Sequence, residues 1–256
     1  MNDVIRKLLP RPLREYIATM ERRVARLEAQ IAFDPALESG VGIRPYEAGQ
    51  LSAFNGQTGR KQIFDEVVSR IPFAYIVETG AWRGDTTGYM AQVSRLPVFT
   101  CELNHQMFRI ASSRLSEVNG VSITLADSRR FLQDLARDKS FTAQRAFFYL
   151  DAHWHADLPL HDELTIVARE WRDFVVMIDD FKVVGDGGYG FDTYGPGKEL
   201  TIESINTILA GRHLTAYFPT MSASGETGHK RGCIVLASKS CSDRLSGITS
   251  LRRHKL

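Results

Sequence analysis

The feature that most narrows the fold of this chain is an alternation of two hydrophobic periods along most of its length. "GRKQIFDEVVSRI" has helical spacing and is followed by "AYIVET", a β-branched apolar run; "TTGYMAQVS" then reads as a helix and "VFTCE" as a short strand. The exchange repeats through "HQMFRIASSRLSEV" and "VSITLAD", "SRRFLQDLARD" and "RAFFYLD", "PLHDELTIVAREW" and "FVVMIDD", and "TIESINTILA" and "HLTAYFP". A last apolar run, "GCIVLAS", has no clear helical segment before it. Strands alternating with helices imply βαβ units, so the expected class is α/β: a doubly wound, mainly parallel seven-stranded sheet with helices on both faces. The missing helix before the last run predicts that one of the final two strands is antiparallel.

Composition supports this and removes other classes. The 256 residues, 43% hydrophobic and 24% charged, suffice for one large α/β domain. With 32 basic and 30 acidic residues the net charge is +2, which gives no general argument for nucleic acid, and none is expected as a partner. Cys101, Cys233 and Cys241 are odd in number and well separated, which fits neither a disulfide framework nor a cysteine-rich zinc site and suits a reducing, cytoplasmic compartment. No segment reaches the roughly 20 apolar residues of a membrane span, and the start lacks the continuous apolar stretch of a secretory signal.

Three regions are expected. In residues 1–32 the apolar positions Leu13, Ile17, Met20, Val24, Leu27 and Ile31 form a short heptad seam, which suits a dimerising helix, and so a homo-oligomer, as well as it suits a helix packed on its own domain. Arg6, Lys7, Arg11 and Arg14 flank Leu8, Leu9 and Leu13, a pattern that also fits weak contact with the inner, anionic face of a membrane. Residues 33–60 read as a connector rich in polar, Gly and Pro positions, and 61–256 as the main domain.

Polar residues gather where an open doubly wound sheet binds ligands, outside the carboxyl ends of its strands. The first strand ends in "ETGAWRGDTT", with Glu78, Gly80 and Gly84 before Asp85 and Thr86 open the next helix. Glycines let the backbone turn tightly and approach a ligand, and a helix N-terminus supplies free N–H donors. The second strand ends at Glu102, placed to accept hydrogen bonds from two ribose hydroxyls. The third ends in Asp127 and Ser128, a pair that taken alone reads as a helix cap. The loop is not the G-x-G-x-x-G of a nicotinamide site, because Arg83 stands where that motif needs a close turn.

The spacing E-x-G-x-x-x-G instead resembles the first motif of class I S-adenosylmethionine-dependent methyltransferases. "ETGAWRGDTT" is especially similar to the macrocin O-methyltransferase type, which acts on antibiotic sugars, and the likeness runs over residues 73–180. It implies a Rossmann-like methyltransferase fold and S-adenosylmethionine as cofactor. The Glu78 to Thr86 loop would meet its methionine part, Glu102 its ribose, and Asp127 and Ser128 its adenine.

"YLDAHWHADLP", residues 149–159, sets one carboxylate and two imidazoles at alternate positions where an apolar run stops. Asp151 ends the fourth strand and Asp179 and Asp180 end the fifth. In neighbouring strands three carboxylates converge, and like charges that close need a cation. Oxygen ligands favour Mg²⁺, with Mn²⁺ or Ca²⁺ as substitutes. The layout is similar to the divalent-metal O-methyltransferases, including catechol O-methyltransferase, whose D-H-W-K motif supplies a lysine base. Matching His153-Trp154 to that His-Trp, with Ala152 inserted, puts His155 at the lysine position. His155 is the first expectation for general base and His153 the second, the latter alternatively orienting a ligand.

The stretch "FKVVGDGGYGFDTYGPGKEL" reads as a lid, with Tyr189, Asp192 and Tyr194 suited to a sugar. "SASGETGHKRG" is a second glycine-bearing loop, with His229, Lys230 and Arg231 available to an anionic acceptor. The functional expectation is a Mg²⁺-dependent O-methyltransferase acting on a hydroxyl of a sugar, glycan or glycosylated natural product. A metal-dependent hydrolase built on Asp151, His153 and His155 with Asp179 or Asp180 holding Zn²⁺ or Mn²⁺, and a non-catalytic glycan-binding member of the fold, are its rivals.

Overall fold

The computed structural model describes residues 53–153, 158–195 and 197–254. The expected helix over 1–32, with its dimer and membrane contacts, and His155 lie outside them. Chain order runs through a 3-10 turn (Ala53–Gly56), α1 (Thr58–Arg70), β1 (Tyr75–Thr79), α2 (Asp85–Ser94), β2 (Val98–Glu102), α3 (His105–Leu115) and β3 (Val121–Leu125). It continues with α4 (Ser128–Ala136), the one-turn α5 (Lys139–Thr142), β4 (Ala146–Leu150), α6 (Leu160–Glu170), β5 (Phe174–Ile178) and α7 (Ile202–Arg212). Strands β6 (Thr215–Pro219) and β7 (Ile234–Ala237), helix α8 (Lys239–Leu245) and β8 (Leu251–Arg253) complete the domain.

The strands form one sheet in the order β3-β2-β1-β4-β5-β7-β6-β8. Neighbours from β3 to β5 pair in parallel, and β7 runs antiparallel to both β5 and β6. The strand reached without a full helix is thus the antiparallel one, as the sequence requires. The sheet has eight strands rather than seven: β8, three residues long, pairs antiparallel with the outer edge of β6. Residues 53–60, read as connector, are part of the packed domain, since Phe54 is fully buried against Phe64 and Tyr149.

Alternate strand residues serve two cores. Val77, Phe148, Leu150, Val176 and Ile178 face α4, α6 and α7, whereas Ile76, Phe147, Tyr149, Val175 and Met177 face α1, α2 and α8. Both faces being covered explains why β1, β4 and β5 are buried at every position. A fully buried Ile, Val or Phe contributes roughly 1.5–3 kcal/mol of transfer free energy, so the strands' apolar runs hold the layers together. Polar signals start the helices: the Asn104 side chain accepts from the N–H groups of Gln106 and Met107 to cap α3, and Asp127 does the same for Arg129 and Arg130 in α4.

Candidate functional site

The carboxyl ends of the parallel strands meet at one edge, and the topological switch lies between β1 and β4, whose following helices α2 and α6 pack on opposite faces. At that point Gly80 has φ +83, and a Cβ there would collide with the Asp151 carbonyl oxygen. Only glycine lets the two loops approach this closely. Gly84 is also left-handed, at φ +81, and leads into α2 against Leu115.

Glu102 closes the adjoining strand end. Its carboxylate accepts hydrogen bonds from the N–H groups of Trp82, at 2.7 Å, and Asn104, at 2.8 Å, so it fixes the glycine loop while staying at the rim. Burial raises its pKa against the pull of those donors. Glu78, expected at the cofactor, is fully buried and accepts from the hydroxyls of Thr87 and, at 2.7 Å, Thr100. It ties β1 to α2 and β2, and burial pushes its carboxyl up to about 7. Asp85 is paired with Arg114 at 2.6 Å, and the Thr86 hydroxyl accepts from the Phe54 N–H at 3.0 Å. Asp127 caps α4 and pairs with the Arg129 side chain, while Ser128 is buried beside it. Gly80, Gly84 and Glu102 therefore line one edge, whereas Glu78, Asp85, Thr86 and Asp127 are committed to partners inside the protein and the buried Ser128 faces Glu163.

Across the switch the ladder extends to the acids, with the Asp151 N–H donating to the Thr79 carbonyl at 3.0 Å and the Asp179 N–H to that of Leu150 at 3.1 Å. The two acids after β5 part company here. Asp179 lies on the face of Tyr149 and Met177, where it takes an ion pair from Arg60 with both side chains 1% exposed, and hydrogen bonds from the Tyr149 hydroxyl and Asn55. Asp180, at φ +50, instead pairs with Arg231 and lies 3.9 Å from His153. The expected ligand trio Asp151, Asp179 and Asp180 is therefore not what converges. The group whose donor atoms all lie within 4.8 Å of one another is Asp151, His153 and Asp180.

His153 Nε2 is 3.7 Å from Asp151 and 3.9 Å from Asp180, and neither ring nitrogen has a hydrogen-bond partner although the side chain is 1% exposed. Burial and the neighbouring carboxylates of Asp179 and Asp180 hold Asp151 well above the usual carboxylate range. Burial also pushes Asp180 up, but the facing His153 and the Arg231 guanidinium, whose Nε donates to it at 2.7 Å, outweigh this and leave it low. Two carboxylates and an unsatisfied imidazole converging at these distances fit a divalent cation. The glycine cradle and rim carboxylate beside them fit a nucleoside-bearing cofactor.

The lid residues divide. Tyr189 was expected to stack on a sugar, but it is 4% exposed and its hydroxyl donates to the Met221 carbonyl at 2.9 Å, because its ring completes the core under the loop. Asp192 and Tyr194 do reach the site: the Tyr194 hydroxyl donates to Asp192, and Arg231 bridges Asp192 to Asp180. Arg231 is therefore engaged by two acids rather than held out to an acceptor.

Sequence reasoning missed Arg60 and Glu163. Each occupies a slot in an apolar stripe, Arg60 before Ile63, Phe64 and Val67, and Glu163 between Leu160 and Leu164, and that register was the available signal.

No protein-family model and no curated protein matches the sequence. Solved structures do match the fold. An O-methyltransferase from Bacillus cereus in complex with SAH aligns at a TM-score of 0.51 and 19% identity, over 70% of this chain and 81% of that one. The O-methyltransferase TomG from Streptomyces achromogenes, involved in tomaymycin synthesis and in complex with SAM, aligns at 0.52 and 20%, over 70% and 79%. The chain has the Rossmann-like fold of these proteins.

Proposed function

We propose that this chain is an S-adenosylmethionine-dependent, divalent-cation-assisted O-methyltransferase acting on a hydroxyl of a sugar or glycosylated small molecule. The observation that carries the proposal is the contact across the β1–β4 switch: the Gly80 backbone lies against Asp151, so a cofactor cradle and a carboxylate–imidazole cluster share one edge. A hydrolase reading leaves Gly80, Gly84 and Glu102 without a task. The sugar acceptor rests on the resemblance of "ETGAWRGDTT" to the macrocin type.

The cofactor supplies a methyl group activated on a sulfonium. Gly80 and Gly84 give it backbone approach and Glu102 accepts from its ribose hydroxyls. Asp151 and Asp180 would hold a divalent cation, whose Lewis acidity would lower the pKa of the acceptor hydroxyl. His155, as general base, would take the proton of the acceptor hydroxyl as the acceptor oxygen receives the methyl group that the cofactor supplies. Asp192 and Tyr194 orient the acceptor, and alignment of the two reactants supplies much of the rate. No helix among the described residues is long and apolar enough to cross a membrane; the proposed cytoplasmic location rests instead on the odd number and wide spacing of Cys101, Cys233 and Cys241.

Calorimetric titration with S-adenosylmethionine and its demethylated product tests the reading. Micromolar binding, weakened at least tenfold in Glu102→Ala, is expected, followed by transfer of labelled methyl to members of a sugar panel. Absence of cofactor binding to the folded protein would sink it.

A further inference from the structure

One buried acid has no part in the mechanism above. Glu163 lies on α6, is 1% exposed, and neither carboxylate oxygen has a hydrogen-bond partner. The polar groups facing it are Ser128, Thr79 and His153, and the Thr79 hydroxyl and both His153 nitrogens are likewise unsatisfied. Orphaned buried polar atoms are rare and costly. Here they sit together beneath Asp151 and Asp180, which are the more exposed members at 31% and 19%.

We propose that His153 is the third ligand of a mixed nitrogen–oxygen cation site with Asp151 and Asp180, that Glu163 is the positioning residue behind its ring, and that the site accordingly prefers a first-row transition cation to Mg²⁺. Imidazole suits Fe²⁺, Ni²⁺ or Zn²⁺ and, as a nitrogen donor, also favours Mn²⁺ over Mg²⁺, whereas oxygen ligands alone suit Mg²⁺, Ca²⁺ and Mn²⁺ alike. A ligating histidine normally gives its other nitrogen to a carboxylate, carbonyl or water, which fixes its tautomer and orientation. Glu163, buried on α6, is the carboxylate that interacts electrostatically with His153 from the buried side, while Nε2 faces the two aspartates. Asp179 takes no part, being neutralised by Arg60. The inference rests on the cation half of the proposed function and not on its cofactor half.

The test uses the full chain, freed of metal by chelation, without S-adenosylmethionine or acceptor. Mn²⁺ is titrated by electron paramagnetic resonance and Mg²⁺ by calorimetry, and the Mn²⁺ form is examined for ¹⁴N modulation of its spin echo. The expected results are at least tenfold tighter binding of Mn²⁺ than of Mg²⁺ and a ¹⁴N coupling of imidazole type in the unaltered protein. In His153→Gln Mn²⁺ affinity should fall at least tenfold, with Mg²⁺ changing less than threefold. In Glu163→Gln, Mn²⁺ should weaken by about tenfold with the melting temperature preserved. Equal affinities without ¹⁴N coupling, or no cation binding, would overturn the site; unchanged Mn²⁺ affinity in Glu163→Gln would overturn the role of that residue. The ¹⁴N measurement needs no variant, so a misfolded mutant leaves the question answerable. Cation binding as described in a protein that takes no S-adenosylmethionine would retain this site and remove the methyltransferase reading, while the converse would do the opposite.

Discussion

Asp179 and Asp180 are adjacent in sequence and belong to two clusters that the protein treats in opposite ways. On the α1 face, Asp179 meets Arg60, Tyr149 and Asn55, and the fold supplies the cation itself. At the strand ends, Asp180 and Asp151 meet an imidazole with two unsatisfied nitrogens. Arg231 engages Asp180 only from the rim, where it is 26% exposed. The first cluster is electrostatically closed and the second is left open at its centre. A buried ion pair is weak evidence of net stabilisation, yet losing one partner strands a charge. The Arg60 pair therefore works as a fixed post: its guanidinium also donates to the Arg231 and Gly232 carbonyls, which binds the loop carrying Arg231 to the end of β5.

Arg60→Met should have the largest effect, because it leaves Asp179 buried without a counter-charge. A loss of about 3–5 kcal/mol in urea unfolding is expected, partly recovered in Arg60→Met/Asp179→Asn. Full stability in the single variant would break the comparison.

Glu78, on the same face but closed by threonine hydroxyls instead of a guanidinium, sharpens it. Its folded pKa of about 7 exceeds the ordinary 4.5, so the fold favours the protonated carboxyl. The stability contributed is complete below about 4.5 and disappears as pH rises through about 7, a change of roughly 3 kcal/mol. Unfolding measured from pH 4 to 8 should show this decline in the unaltered protein and a flatter profile in Glu78→Gln.

Asp180→Asn should behave unlike any change at Asp179. Cation affinity is expected to fall at least tenfold, with unfolding free energy changed by about 1 kcal/mol or less, since Asp180 is partly exposed. Equal destabilisation by Asp179→Asn and Asp180→Asn would erase the distinction. The smallest effect is expected in Tyr194→Phe, which removes the hydroxyl linking Asp192 to the His153 carbonyl and should cost about 1 kcal/mol or less. Its readout is a higher KM for the acceptor with cofactor affinity unchanged.

The succession of strands and helices and the position of the edge were legible because each apolar run is bounded by a helix or a turn signal. The split between Asp179 and Asp180 was latent in the same pattern. Tyr149, Val175 and Met177 share one face, so period-two alternation carries Asp179 onto it, and only the left-handed turn at Asp180 interrupts the count. Arg60 and Glu163 were hidden because a charge within an amphipathic helix ordinarily marks its wet side, whereas here each fills a buried slot. Strand β8 was not legible, since "LRR" is a strand only through its pairing with β6. Nor did the glycines around Tyr189 reveal that its ring turns inward.

The left-handed backbone at position 180 has a consequence for how this chain tolerates change. In a library sampling every residue there, glycine, asparagine and aspartate enter with little strain, and others lose roughly 1–2 kcal/mol before any chemistry is considered. Glutamate, which keeps the charge, is penalised by the main chain alone, whereas asparagine keeps an oxygen donor and the conformation. Neutral drift at this corner of the site is thus channelled toward amides, and the number of charges around the cation can change without the backbone having to move.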